Sequence, residues 1–497
     1  MGSMAPSAKS MNQLPKSMNQ LPKSMNQLPK SMNQLPKSMN QLPDELIAKI
    51  IEYIHITRSL YSLSLVSQRF YRITLPFLYA AISHYMYQEP KRLQSAIRTL
   101  IRRPDLAAKV QHVALRDPRQ NDSFFDLKSW AVWAAVKYNA TLEGEDASRF
   151  FTAANNLIGN LSARDSLVQK EEAHAALLVA LVPSLKHLHI ENPNLVNEQS
   201  RFGMDHLILD ILQPQIKSGK ILQNLERLTA VTARMEGGQG GFRLSSIASF
   251  FLLPKLRSVI AVACFEPEDD LFVNFDPPRR SSAVRELRFL RSAICPLGLK
   301  KILECCRAVE IFDCDWAGLS VGWVEINFPL LLEALEHHKN TLTELTLDTA
   351  KHFDSWPESE DGLVPPLGPA LHTFENLRKL DVPASALIGY DEYSVGGYGK
   401  LKDILPPNLE ELKLNEFAPR LVGMVEELVP HCTTLLPNLR KLTISRIHAG
   451  DTDVEDDLER KFREMAPVVQ LSFVDRREID HFEGSIGRGG IEWGQSV

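Results

Sequence analysis

Cysteine is scarce: the chain has 497 residues and six cysteines, at positions 264, 295, 305, 306, 314 and 432. That is too few for a disulfide scaffold of this size. None has Cys-x-x-Cys spacing, which argues against a structural zinc or a redox motif. Cys264, Cys305, Cys306 and Cys314 are expected to be small buried apolar residues. Long apolar runs are missing too. The longest worth testing, Ala175 to Val182, is far short of the roughly 20 residues of a membrane span. Lys9 and Lys16 are followed by no apolar core, so no secretory signal is expected. Charge of one sign is also lacking: 56 basic and 61 acidic residues leave a net charge of −5, which argues against a general nucleic-acid binder. No Ser/His/Asp or Cys/His set stands out, so no catalytic group, cofactor or metal is expected. These absences leave a soluble chain of a reducing compartment, cytoplasmic, nuclear or both. Pro277-Pro278-Arg279-Arg280 is too short to decide for the nucleus.

Repeats dominate the N-terminus. Lys-Ser-Met-Asn-Gln-Leu-Pro recurs from Lys9, Lys16, Lys23, Lys30 and Lys37. A seven-residue period suggests a coiled coil, but one proline per period is incompatible with a continuous helix. A disordered tail is expected over 1–39. The fifth copy runs through Leu42-Pro43 directly into Asp44-Glu45-Leu46, so the tail reads as repeated copies of the next module's leader.

From Asp44 the pattern turns helical. Leu46, Ile47, Ile50, Ile51 and Ile54 share helical spacing, with Asp44 as the candidate N-cap. A second face follows at Leu60, Leu63, Val66 and Phe70. Pro76 then marks a break or a first helical turn before Phe77, Leu78, Tyr79 and Ile82. Three short helices in the 40–85 segment bury little surface and gain from a partner. The phrases Leu42-Pro43-x-Glu45-Leu46-x-x-x-Ile50, Leu60-x-x-Leu63-x-Leu65-Val66-Ser67-x-Arg69-Phe70 and Pro76-x-Leu78-Tyr79 resemble an F-box in order and spacing. The resemblance implies binding to a Skp-type adaptor, and through it to cullin and RING subunits of an SCF ubiquitin ligase. It also implies that Leu42, Pro43, Glu45, Leu46, Ile50, Leu60, Val66 and Phe70 form or support the adaptor contact. A helical cap on the following domain is the structural alternative.

A second periodicity fills 181–475. The pattern L-x-x-L-x-L occurs ten times, from Leu185-Leu188-Ile190 to Val468-Leu471-Phe473, at a mean period of about 31 residues, just above the usual leucine-rich range. The fifth unit is read as Cys306-Val309-Ile311, and an outlier as Val110-Val113-Leu115. Glu171–Leu181, Pro329–His338 and Val422–Val429 read as intervening helices, and Asp451–Met465 as another. The expected fold is an α/β solenoid: a leucine-rich-repeat arc with a parallel sheet inside and helices outside, after a three-helix F-box. Together with Leu405-Pro406-Pro407-Asn408-Leu409, this resembles fungal F-box proteins with irregular leucine-rich repeats. Segment 86–180 is expected to be a helical linker or insertion with one possible strand near 110–115, and 476–497 a flexible tail.

The residue after each unit's last apolar position gives an apolar row, Val231, Val262, Leu290 and Phe312, joined by Ile260. This row is the candidate substrate surface, because exposed apolar patches usually mark a partner; the alternative is that a long segment such as 116–180 covers it. Later rungs are polar and mixed in charge, a solvated face or an interface rim. The basic stretch 91–109, the glycine-rich 236–241 and the pair His187/His189 are expected to carry no chemistry. The overall function expected is substrate recognition for an SCF-type ligase without catalysis. A non-catalytic scaffold is the alternative, and the sequence names no substrate.

Overall fold

The computed structural model describes residues 42–54, 56–86, 90–116, 167–192, 207–232, 242–266, 277–316, 326–349, 366–388, 400–415, 419–446 and 452–475. The heptad copies up to residue 41, the glycine-rich segment, most of 116–180 and the C-terminal tail lie outside these residues. The chain divides into two compact units, 1–77 and 78–497.

The first unit holds α1 (Asp44–Glu52), α2 (Thr57–Ser64) and α3 (Gln68–Leu78). Its core forms from residues one helical turn apart: Ile47 and Ile51 on α1, Leu60 on α2, Phe70 and Ile73 on α3. Asp44 is not the N-cap. Pro43 caps α1, and Asp44 occupies the first turn. Its carboxylate instead receives Arg69 Nε at 2.7 Å and Arg72 at 2.8 Å, and Arg69 also donates to the Leu42 carbonyl. The two arginines hold the Asp44 carboxyl below its ordinary range. Ser67 Oγ accepts from the Phe70 amide at 3.2 Å at the start of α3. Pro76 opens no new helix; it lies inside α3 near its end.

The second unit is built on strands β1 (Ala81–Tyr85), β2 (His112–Arg116), β3 (His187–Asn192), β4 (Arg227–Thr232), β5 (Phe242–Arg243), β6 (Ser258–Val262), β7 (Cys264–Glu266), β8 (Glu286–Leu290), β9 (Ala293–Ile294), β10 (Ile311–Asp315), β11 (Glu344–Asp348), β12 (Lys379–Val382), β13 (Glu411–Leu414), β14 (Lys441–Arg446) and β15 (Gln470–Asp475). All except β5, β7 and β9 form one twelve-stranded sheet in chain order, with parallel pairing throughout. Helices connect the strands, including Pro90–Arg102, Leu167–Ala180, Leu207–Lys217, Pro296–Cys305, Phe328–Glu336, Pro419–Leu428 and Thr452–Met465. Neighbouring helices pack on one another, 90–102 on 167–180 and 296–305 on 328–336 among them. The architecture is a parallel sheet with helices, consistent with an α/β solenoid. The possible strand near 110–115 is β2, and one rung not expected precedes it: 81–85, read above as the end of the helical module, is β1.

Each strand points alternate residues to opposite faces. One set is buried as core: Leu188 and Ile190, Leu287 and Phe289, Leu345 and Leu347, Leu412 and Leu414. The strands are also tied at their starts. The Glu226 carbonyl accepts from the amides of Arg257 and Ser258, and the Arg378 carbonyl from those of Glu410 and Glu411. The asparagine before the first leucine bridges rungs: Asn376 Nδ2 donates to the Asn340 carbonyl at 2.6 Å, Asn408 to the Glu375 carbonyl at 2.8 Å, and Asn438 to Asn408 Oδ1 at 3.2 Å. These bonds account for the recurring Asn-Leu phrase.

Two single residues lead from the large sheet into the three-stranded one. Ala263 (φ 59°) follows β6 and Arg291 (φ 50°) follows β8, both left-handed. Glu266 is buried on β7, its carboxylate accepting from the Ser245 amide. This second sheet, β5-β7-β9, has no leucine-rich signature. All six cysteines are free and buried.

Candidate interaction surfaces

The helical unit presents apolar residues outward as well as inward. On α1, Ile47 and Ile51 face the core, while Leu46 is 49% and Ile50 43% exposed one position away. Tyr53, Ile56, Tyr61, Leu65 and Tyr71 are exposed too, and Val66 is 65% exposed. So many outward apolar side chains on a small unit are what a partner surface requires. Of the residues proposed for adaptor contact, Pro43, Glu45, Leu46, Ile50 and Val66 are exposed and Leu42 is half-buried. Leu60 and Phe70 are buried, so they support the surface from beneath. The Asp44–Arg69–Arg72 clamp, which pins the leader to α3, escaped the sequence reading. Its signal is an acid and two arginines 25 and 28 residues apart, a separation no local pattern detects.

The open face of the sheet is the second surface. Val231, Val262 and Leu290 lie side by side on β4, β6 and β8, each partly exposed. Ile260 sits one row over, between Thr229 and Arg288. Adjacent strands are about 4.8 Å apart, so this strip spans roughly 10 Å.

Phe312 is not part of it. It pairs in register with Leu287 and Leu345 and is 0% exposed. The fifth unit is therefore Val309-Phe312-Cys314, three residues later than the expected frame. Both frames satisfy L-x-x-L-x-L; strand pairing selects the one that buries the phenyl ring. The residue that follows on the open face is Asp315, which ends the apolar row after Leu290.

Ionic pairs cover much of the remaining face. Arg288 bonds Glu286 at 2.7 Å and Asp313 at 3.1 Å, and Lys413 bonds Asp381 at 3.1 Å. Burial pushes the Asp313 carboxyl up to about 6, Arg288 opposing and Asp381 adding to the rise. Burial likewise raises Asp381. Glu344, Lys379, Glu411 and Lys441 alternate in sign across β11 to β14, a ladder that neutralises itself. His189 Nε2 lies 2.8 Å from Glu191. His187 meets His112 edge to face at 4.5 Å and is pushed down to about 4, mainly by burial. Among the described residues no three His, Cys, Asp or Glu side chains come together as a metal group. Arg279 of the Pro-Pro-Arg-Arg segment pairs with Glu304 at 3.3 Å.

The chain thus carries a three-helix unit with an outward apolar band and a repetitive parallel sheet with helices. Residues 39–84 match the F-box-like family, so the helical unit is an F-box-like domain. No curated protein matches the chain. Among the described residues no helix is long and apolar enough to cross a membrane.

Proposed function

We propose that this protein is the substrate-recognition subunit of an SCF-type ubiquitin ligase. The outward band of the F-box-like domain, centred on Leu46, Ile50 and Val66, carries the proposal. It docks a Skp-type adaptor, with Leu42, Pro43 and Glu45 at its margin, and through the adaptor the cullin and RING subunits. The sheet, read as leucine-rich repeats, holds the substrate on its open face. The protein does no bond chemistry. It raises the effective concentration of substrate lysines near the charged ubiquitin carrier.

Co-expression with a Skp-type adaptor and a cullin, followed by size-exclusion chromatography, tests this. The wild type is expected to co-elute with both and Leu46→Asp/Ile50→Asp with neither. Failure of the wild type to retain the adaptor refutes the proposal. Retention of the adaptor without cullin makes the chain a scaffold outside the ligase.

A further inference from the structure

The leader of the F-box-like domain is held from two directions. The Pro43 carbonyl accepts from the amides of Leu46 and Ile47 on α1, both at 3.1 Å. The Leu42 carbonyl accepts from Arg69 on α3. Successive peptide units are thus tied to different helices, and Pro43 stays extended between them (φ −57°, ψ 150°). Pro43 offers α1 no side-chain cap, so the helix start does not by itself fix the chain before it. Asp44 completes the hold. One carboxylate oxygen accepts from Arg69 Nε at 2.7 Å and the other from Arg72 at 2.8 Å. Arg69 therefore binds the carboxylate and the Leu42 carbonyl together. Its base is rigid: the next residue, Phe70, is in the core, and Ser67 Oγ holds the Phe70 amide. An isolated surface ion pair contributes little, whereas a network that engages both carboxylate oxygens holds one geometry.

The sequence supplies an independent observation. The phrase Ser-Met-Asn-Gln-Leu-Pro occurs five times, ending at Pro15, Pro22, Pro29, Pro36 and Pro43. The first four copies are followed by Lys16, Lys23, Lys30 and Lys37, and only the fifth by an acid. A lysine in the place of Asp44 sets a third cation against Arg69 and Arg72, an arrangement that like charges disfavour.

We infer that Asp44 is a positioning residue for adaptor binding: through Arg69 and Arg72 it makes Leu42-Pro43 the one leader, among the five Leu-Pro copies, that the adaptor takes. Ordering an extended dipeptide on binding costs free energy, and a leader already held avoids that cost. The four upstream copies offer the same Leu-Pro without an acid to seat it. This inference rests on the proposed adaptor contact of the F-box-like domain and adds the residue that selects among the copies.

The test is biolayer interferometry of the full-length protein against a purified Skp-type adaptor. Asp44→Asn and Arg69→Met are each expected to weaken binding about fivefold or more. The double variant is expected to lose less than the product of the two, because both remove one shared interaction. Replacing Leu14, Leu21, Leu28 and Leu35 together by alanine is expected to leave the affinity within about twofold of wild type. Ile51→Val loosens the core of the same unit further along α1. It is expected to stay within about twofold as well, which separates positioning of the leader from stability of the fold. Circular dichroism of each variant verifies the helices. The inference is overturned by an Asp44→Asn variant that binds like wild type, by single losses that multiply in the double variant, by an Ile51→Val loss equal to that of Asp44→Asn, or by upstream replacements that weaken binding as much as Asp44→Asn does. A wild type that binds no adaptor refutes the adaptor contact itself, and the inference with it.

Discussion

Phe312 and Leu290 differ by one step in the placement of a side chain, and that step has a measurable energetic consequence. Phe312 is wholly buried between Leu287 and Leu345, whereas Leu290 is partly exposed on the open face. Truncating a buried phenylalanine to alanine removes its transfer free energy and leaves a cavity, a loss of about 3–5 kcal/mol. A leucine that keeps only a minor part of its surface exposed has about two-thirds of its roughly 1.5–3 kcal/mol burial to lose, about 1–2 kcal/mol, and surrounding water fills the gap. Phe312→Ala is therefore expected to cost at least about 1 kcal/mol more than Leu290→Ala. Equilibrium urea unfolding, followed by tryptophan fluorescence and circular dichroism, reads the difference. Losses that are equal, or a Phe312→Ala loss under about 1 kcal/mol, would refute the strand register and return Phe312 to the open face. The same reasoning bars Phe312→Asp as a probe of substrate capture, since a charge there unfolds the rung that carries it.

Other perturbations have equally definite expectations. Ile47→Asp should unfold the F-box-like domain, whereas Leu46→Asp should leave its helical signal intact and abolish adaptor binding; circular dichroism and a pull-down together separate the two. Asp313, raised to about 6 from an ordinary 3.8, binds its proton more tightly folded than unfolded. It therefore adds stability as pH falls from about 6 to about 4, and at neutral pH its ionisation costs up to about 3 kcal/mol. Asp313→Asn should raise neutral-pH stability by about 1–2 kcal/mol, because Arg288 loses a partner, and should flatten the urea midpoint across that window. A variant with the wild-type pH profile would contradict this. Arg291→Gly, at a left-handed position, should gain about 0.5–1 kcal/mol in thermal or urea unfolding; a loss would mean that the arginine side chain outweighs the backbone strain.

Local chemistry made much of the molecule legible. Leu46, Ile47, Ile50 and Ile51 marked a helix with two apolar faces. The spacing of Leu345 and Leu347, or of Leu412 and Leu414, marked strands with one face buried, because side chains alternate every residue. The strip Val231–Val262–Leu290 followed from that alternation. Other features depend on residues distant in sequence. Asp44 is suited to capping a helix, and only the arrival of Arg69 and Arg72 from α3 turns its carboxylate elsewhere. Ile82 looks apolar and helical in context, yet Ala81–Tyr85 joins the sheet because β2 offers it a ladder. Around 306–314 two frames fit the same apolar pattern. Register belongs to neighbouring strands jointly, and a one-residue slip exchanges core for surface. Only pairing with β8 and β11 places Phe312 inside and leaves Asp313 and Asp315 on the open face, where they close the apolar strip with charge.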